Sequence, residues 1–383
     1  MHKKFLFKVH MILGLTAGVI LLIMGITGAM LSYQKEILKY INKDSYIIEV
    51  PSTKRLSSKA ILEKFEQKFP DAKINSFIFS SSANRSVVIN IKANGEGKQA
   101  RRGINYYINP YTAEILPNTK GYEFFKFIEI VHRGLIIGNI GKQITGICTF
   151  ALLILMFSGI YVYWKRIKNS FFKSFIFSFK DKKRAFLSNM HFAIGMWVIP
   201  FYLFLSFTGL ALSYDWVKDG LYKVSGVEKP IRQKRMPTPK NKKDEVTVSI
   251  SNEKIEKIVQ LFNKNVKEYE NANLQIGKKS DVIKISYFAK NAIHDRARSE
   301  ITLNTKTNKV IKNDKFEDKA LSDRLMKSLV PLHTGEYFGL IVQGILGLSS
   351  LMMVLFTITG FMMYFKRKKK KATKKYNLTK NTY

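Results

Sequence analysis

The chain has 383 residues and a formal net charge of +36, from 64 Lys and Arg against 28 Asp and Glu. This excess is spread over several segments without the interleaved aromatic residues of a nucleic-acid-binding surface, which argues against nucleic-acid binding. The single cysteine, Cys148, excludes an internal disulfide framework. No GxGxxG or P-loop motif occurs, so nothing supports a built-in nicotinamide, flavin or ATP domain.

Four apolar segments are long enough to cross a bilayer, whose apolar core of about 30 Å needs about 20 helical residues. They cover residues 11–33, 143–164, 192–214 and 340–365. We expect the first segment to be retained as a span and not cleaved as a signal peptide, because it is long and no small-x-small site follows it cleanly. The fold expected is a membrane α-helical, four-transmembrane-helix bundle.

Basic flanks predict the orientation of these spans, since short loops rich in Lys and Arg mark the cytoplasmic side. Such flanks precede the first span at Lys3, Lys4 and Lys8, and recur in the link 165–190 and in the tail 366–383. We expect both termini and the link to be cytoplasmic, where their charge suits anionic lipid. The hydrophilic blocks 34–131 and 215–331 then face outward.

The first block predicts a small α+β module. Apolar residues at helical spacing follow serines that can cap a helix start, as at Ile61 and Phe65. Two alternating, β-branched or aromatic segments then predict strands, and Asn109-Pro110-Tyr111-Thr112 predicts a turn before a short final strand.

The second block repeats this plan loosely. An amphipathic helix at 251–266 is followed by strands within 281–289 and 298–312, and the stretch 226–244 is predicted to be a linker or a ligand loop. Neither block contains a recognisable catalytic set. His294 is predicted to be a surface loop residue, with Asp295 beside it.

Four histidines recur in register in two sequence repeats. A shift of 181 matches His10 with His191, Gly14 with Gly195, and Thr27-Gly28 with Thr208-Gly209. A shift of 201 matches His132 with His333, and also the glycine pairs Gly134/Gly335, Gly138/Gly339, Gly146/Gly347 and Gly159/Gly360. The chain is therefore interpreted as an internal duplication that repeats an imidazole near a membrane boundary.

The expected topology places His10 and His191 at the cytoplasmic side and His132 and His333 at the external side. Facing imidazoles can bind one haem iron from both sides, and bundles commonly build cofactor sites from facing helices. We therefore predict two haem b groups, with these four histidines as axial ligands of the iron. No CxxCH motif is present, so the haems would be non-covalent.

Two other interpretations of the histidines were weighed. Each ring could be an interfacial polar residue that reaches the headgroups, or the rings could bind a transition metal, although no Cys, Asp or Glu repeats beside them. Tyr33 and Tyr214, at the outer ends of two spans, suit an aromatic belt or a contact with haem propionates. Arg133 and Lys142, near His132, could also meet propionates.

At these residues the chain resembles the PepSY-associated transmembrane family, often described as iron-regulated membrane proteins. The resemblance covers nearly the whole chain and is carried by the opening His10-x3-Gly14, by Ile108-Asn109-Pro110-Tyr111-Thr112 and by the stretch Pro331 to Gly339. It implies two extracytoplasmic α+β PepSY-like modules. It also implies a siderophore-iron reductase with haem in the membrane part, located in a bacterial inner membrane. Since no flavin or nicotinamide domain follows the fourth span, the electron donor is expected to be separate, a quinol or a cytoplasmic reductase.

The expected function is an oxidoreductase that passes electrons through two haems to a ferric siderophore or other ferric chelate. The alternative is a membrane-anchored PepSY protein that binds or regulates a peptidase, without haem. The expected domains are transmembrane helices within 1–33, 132–164, 191–214 and 332–365, modules at 34–131 and 215–331, the link 165–190 and the tail 366–383.

Overall fold

The structure is a computed structural model that describes residues 2–93, 103–180, 183–226, 250–276 and 281–380. The predicted linker or ligand loop at 226–244 lies, apart from its first residue, outside these ranges. The helices in chain order are α1 (His2–Ser32), α2 (Gln34–Ile41), α3 (Lys43–Tyr46), α4 (Ser58–Lys68), α5 (Tyr122–Gly134), α6 (Gly138–Asn169), α7 (Lys183–Ser213), α8 (Asp215–Ser225), α9 (Asn252–Asn265), α10 (Leu321–Lys327), α11 (Leu329–Thr334) and α12 (Leu340–Lys380). The strands are β1 (Ile74–Phe79), β2 (Val87–Ile91), β3 (Ile104–Ile108), β4 (Tyr269–Gln275), β5 (Val282–Ala289), β6 (Arg298–Asn304) and β7 (Lys309–Asp314).

The chain forms two compact units. The first contains Met1–Gln34, Glu123–Ser225 and Leu329–Tyr383, and the second contains Lys35–Tyr122 and Gly226–Ser328. The first unit holds the apolar helices, and we call it the helical unit. The second holds the strands, and we call it the sheet unit.

Four helices of the helical unit, α1, α6, α7 and α12, are long and apolar enough to cross a membrane. Their apolar windows have mean hydropathies from 1.7 to 2.3. Helices α6 and α12 each pack against both α1 and α7, so the four form a bundle. Its interior is filled by Leu21, Met156, Tyr202 and Met353, each 7% exposed or less.

His132 and His333 lie on short helices that precede the spans, which differs from the expected ranges 132–164 and 332–365. His132 is near the end of α5 and His333 near the end of α11, and a turn separates each from the following span. Gly335 and Gly339 adopt positive φ angles of 85° and 87° in the second turn, a conformation that glycine adopts without strain. Each histidine therefore lies on a helix separate from the span that follows it.

The sheet unit contains one seven-stranded antiparallel sheet with the order β3-β2-β1-β4-β5-β6-β7. Helices α4 and α9 pack on each other and on one sheet face, where Phe65, Phe77, Phe262 and Ile285 are at most 3% exposed. Ser57 and Ser251 cap these two helices by accepting a backbone N–H three residues on.

The two hydrophilic blocks were expected to be separate modules, and the structure joins them in this single sheet. Strand β1 of the first block pairs with β4 of the second, with Phe77 opposite Leu274. A sheet edge carries unpaired N–H and C=O groups, so two edges from one chain gain hydrogen bonds by pairing. Strand β4 was not predicted from the sequence, because its residues, Tyr-Glu-Asn-Ala-Asn-Leu-Gln, lack β-branched side chains.

Candidate functional site

His10 of α1 and His191 of α7 face each other in the helical unit, and we call them the first pair. Their ring centres are 6.4 Å apart and their planes make an angle of 73°. A metal–imidazole bond is about 2 Å long and a ring centre lies about 1 Å behind its nitrogen, so two imidazoles on opposite sides of one metal ion have centres about 6 Å apart. The observed separation therefore fits a metal ion between the rings.

His132 of α5 and His333 of α11 form the second pair. Their ring centres are also 6.4 Å apart, with an interplanar angle of 54°. The structure thus brings the four histidines together in the pairs that the sequence repeats predicted. Their role as haem ligands stays a prediction at this point.

The two pairs lie at different levels of the bundle. His132 contacts Thr27, and the rise of about 1.5 Å per residue places Thr27 roughly 25 Å along α1 from His10. The same spacing separates His191 from Thr208, which contacts His333. This separation is close to the apolar thickness of about 30 Å of a bilayer. The first and second pairs therefore lie near opposite ends of the spans.

Each histidine has its Nδ1 atom against a hydroxyl of a neighbouring span. The distances are 3.0 Å for His10 to Ser158, 2.9 Å for His132 to Thr27, 2.7 Å for His191 to Thr359, and 2.9 Å for His333 to Thr208. His10 Nδ1 also lies 3.1 Å from the Leu155 carbonyl oxygen. The hydroxyls therefore fix the orientation of all four rings.

The hydroxyls also determine which ring nitrogen carries the proton. Thr27, Thr208 and Thr359 each donate to a backbone carbonyl four residues earlier, at 2.7 Å. Because that hydrogen is used, each hydroxyl can only accept from the imidazole. We infer that Nδ1 is protonated and that Nε2 presents a lone pair, which is the form in which imidazole binds a metal.

A glycine follows each of these hydroxyl residues, and three of the glycines make room for a ring. A Cβ on Gly28, Gly159 or Gly209 would lie 3.2–3.3 Å from the Cε1 atom of His132, His10 or His333, respectively. Gly360, after Thr359, has no atom within 4 Å of such a Cβ. The sequence repeats matched Thr27-Gly28 with Thr208-Gly209, and Gly159 with Gly360, but Ser158 and Thr359 before the second glycine pair were not recognised. The recurrence of a hydroxyl-glycine dipeptide in all four spans would have found them.

A cavity of about 320 Å³ lies beside the first pair, a size within the range of small-molecule and cofactor sites. Gly14 and Gly195, one turn after His10 and His191, line it together with mainly apolar side chains. Phe356 packs edge-on against His191, with ring centres 5.0 Å apart. Tyr202 also lines the cavity, and its buried hydroxyl has no hydrogen-bond partner among the described residues. An unpaired buried hydroxyl is unfavourable unless a ligand or water meets it.

These features fit a b-type haem. The two oriented imidazoles would supply donors to the iron, the glycines leave room for a flat macrocycle, and the cavity walls are apolar. The fit to a metal ion held by protein side chains alone is poor. Within the described residues, no group of three or more His, Cys, Asp and Glu could hold one.

Three of the residues considered for propionate contacts, Arg133, Tyr33 and Tyr214, already contact neighbouring residues in the structure. Arg133 is paired with Glu129 at 2.8 Å, and Lys126 bonds the other oxygen of Glu129 at 2.7 Å. Burial favours the neutral carboxyl, but these two hydrogen bonds outweigh it and lower the pKa of Glu129. Tyr33 donates to the Leu340 carbonyl at 2.8 Å, and the Tyr214 hydroxyl lies against Gly146. Both tyrosines thus contact neighbouring spans.

His294 is not the surface residue that was predicted, since it is 4% exposed. Its Nδ1 accepts the Arg296 N–H at 3.0 Å, so the proton of the neutral ring is on Nε2, 2.7 Å from Ser328 Oγ. Asp295 beside it forms an ion pair with Lys35 at 2.6 Å. The prediction failed because a polar loop sequence does not reveal that its histidine folds inward to meet a distant serine.

Comparison with known proteins identifies the family. No curated protein matches the chain. The family described as the PepSY-associated TM region matches residues 7–367, nearly the whole chain. Its name and the four apolar helices agree in describing a multi-pass membrane protein. The protein therefore belongs to the PepSY-associated transmembrane family.

Proposed function

We propose that the protein is a transmembrane electron-transfer protein that binds two non-covalent b-type haems and reduces extracytoplasmic ferric chelates, such as iron held by a siderophore. The observation that carries this proposal is the arrangement of the four histidines in two facing pairs, each ring with Nδ1 fixed by a hydroxyl. Haem iron with two imidazole ligands exchanges one electron and has no open position for dioxygen.

The residues of the chain have three tasks in this proposal. His10 and His191 would hold one haem, and His132 and His333 the other. The hydroxyls of Ser158, Thr27, Thr359 and Thr208 keep the rings oriented, which raises the basicity of Nε2. The apolar side chains that surround the first pair exclude water, and a water-poor site limits the reorganisation that accompanies electron transfer.

The direction of transfer follows from the basic flanks. The first pair lies at the end of the bundle where α1 begins and α12 continues into Lys366–Lys371. Short basic flanks mark the cytoplasmic side, so we assign the first pair to the cytoplasmic leaflet of a bacterial inner membrane, with both termini cytoplasmic. The second pair would then deliver electrons outside, and the repeats would reflect a duplicated helix pair.

The sheet unit would bind the ferric chelate or a partner protein on the external side. Its lysines favour anionic chelates through long-range attraction. Reduction to ferrous iron weakens binding by hard oxygen donors, so the metal would be released. A separate quinol or cytoplasmic reductase would supply the electrons.

Oriented proteoliposomes test this proposal. A quinol or cytoplasmic-side donor is supplied, and external ferrous iron is trapped with a chromogenic chelator. We expect ferric chelate reduction by the wild-type protein and none by a His10→Ala/His191→Ala variant that keeps the haem of the second pair. Reduction at the wild-type rate in that variant would overturn the conduit, and a wild-type protein without haem would favour the peptidase-binding alternative.

A further inference from the structure

The cavity beside the first pair is apolar along most of its length and polar at one end. The polar end is lined by Tyr163, Ser188, Tyr364, Lys366 and Arg367. Among the described residues, no Asp or Glu lines the cavity. This end therefore combines two positive charges with three hydroxyl groups, and no acidic side chain of the described residues neutralises them.

The two cations are placed beyond the histidines along α12. Lys366 follows Thr359 by seven residues, which puts it on the same face of the helix and about 10 Å further along the axis. The Arg367 guanidinium lies over the Phe7 ring, 4.7 Å from its centre, a contact that favours the cation. Both residues lie beyond the level of the histidine rings. A macrocycle centred between the His10 and His191 rings would have its edge at that distance.

The counterpart of Arg367 in the other half of the sequence has partners within the protein. A shift of 201 matches Lys366 with Lys165 and Arg367 with Arg166. Arg166 donates to Asn189 Oδ1 at 2.8 Å and to the Lys173 carbonyl at 3.3 Å. In the part of the chain that the structure describes, Lys366 and Arg367 form no ion pair, so both can meet an anionic ligand in the cavity.

We infer that Lys366 and Arg367 form a carboxylate seat for the anionic edge of the ligand at the first pair. This inference rests on the proposed haem. A b-type haem carries its two propionates on one edge, and an apolar cavity with a basic end accepts it in one orientation. The propionates would lie toward Arg367, and the apolar edge toward Tyr202 and the second pair. The seat thus determines which edge of the ligand faces the interior of the bundle.

The test compares protohaem with its dimethyl ester, in which both propionates are neutral. Each is titrated into haem-free, full-length protein in neutral detergent, and binding is followed by the spectrum of the bis-imidazole complex. The titration is repeated in a His132→Ala background, where the first pair alone binds. We expect the wild-type protein to bind the free acid about tenfold more tightly than the ester. The Lys366→Gln/Arg367→Gln variant should bind both equally.

A control variant, Lys370→Gln/Lys371→Gln, removes the same charge from positions that do not line the cavity, and it should keep the wild-type preference. Equal binding of acid and ester by the wild-type protein would overturn the seat while leaving the haem proposal intact. Failure to bind either compound would refute the proposed function itself. Anionic phosphatidylglycerol, added to the detergent, should leave the preference unchanged. If that lipid abolished the preference for the free acid, the seat would be assigned to a lipid phosphate.

Discussion

Thr27 Oγ1 lies 2.9 Å from His132 Nδ1 and donates its own hydrogen to the Ile23 carbonyl at 2.7 Å. The hydrogen of the Thr27 hydroxyl is used by its own helix, so toward His132 the hydroxyl can only accept. The imidazole is therefore oriented by a hydroxyl of a neighbouring helix. Thr208 holds His333 in the same way. Since metal-binding imidazoles are normally fixed by a hydrogen bond to the second nitrogen, this relationship leads to direct tests.

Replacement of Thr27 by Val should weaken haem binding at the second pair. The change keeps the shape of the side chain but removes the acceptor for His132 Nδ1–H, and loss of such an orienting partner lowers metal affinity by about 10–100-fold. Haem titration of the haem-free protein measures the effect. Thr27→Ser keeps the hydroxyl and should bind as the wild-type protein does. Equal affinities for the Val and Ser variants would show that the hydroxyl has no orienting role.

Gly159→Ala should disturb the first pair, because the added Cβ would lie 3.3 Å from His10 Cε1. That distance requires the ring to move by a few tenths of an ångström, which misaligns a bond of about 2 Å. Gly360→Ala is the matched control, since its Cβ would meet nothing within 4 Å. We expect a shifted spectrum and lower haem occupancy for Gly159→Ala only. Identical spectra for the two variants would contradict the close approach seen at Gly159.

The repeats were sufficient to predict the histidine pairs, because identical residues recurred at fixed shifts. The hydroxyl partners of the histidines were not predicted. Ser and Thr in apolar helices commonly bond their own backbone, so their presence does not indicate a contact with another helix. The joined sheet was missed because pairing of β1 with β4 is a long-range contact that leaves no local pattern. Local rules found α4 and α9 with their serine caps, whereas the inward fold of His294 depends on Ser328, far away in sequence.

His294→Ala should loosen the loop between β5 and β6. The change leaves the Arg296 N–H without its acceptor, and an unsatisfied buried donor costs about 1–3 kcal/mol. The Ser328 hydroxyl loses the ring but keeps its hydrogen bond to the Arg324 carbonyl at 2.6 Å. Hydrogen exchange of the full-length protein should show faster exchange at the Arg296 amide. A His294→Gln variant, which retains an acceptor, should show an exchange rate between those of the wild-type protein and the Ala variant. Unchanged protection in the Ala variant would show that the ring is not needed there.

Asp314 of β7 should contribute to the acid sensitivity of the sheet unit. Its hydrogen bond from Lys319, 2.7 Å away, lowers the pKa of Asp314 below its usual value of 3.8. Because the folded-state pKa lies below the unfolded one, the contribution is present at neutral pH and is lost as the pH falls below about 4 and through the folded-state pKa. The protection factors of the β7 amides, which correct for the intrinsic slowing of exchange in acid, should therefore fall less between pH 7 and a pH below 4 in Asp314→Asn than in the wild-type protein. Asp318→Asn serves as the control, and equal acid sensitivity of all three proteins would exclude this role.

The pairing of His10 with His191 and of His132 with His333 is tested most directly by the haem content of single-histidine variants. Pyridine haemochrome assays and low-temperature spectra are recorded for the wild-type protein and the four His→Ala variants, purified from haem-replete cells. We predict about two b-type haems per wild-type chain, because each pair supplies both axial ligands of one iron. His10→Ala and His191→Ala should lose the same spectral component, and His132→Ala and His333→Ala the other. A colourless wild-type protein, or the loss of one common component in His10→Ala and His333→Ala, would contradict the account.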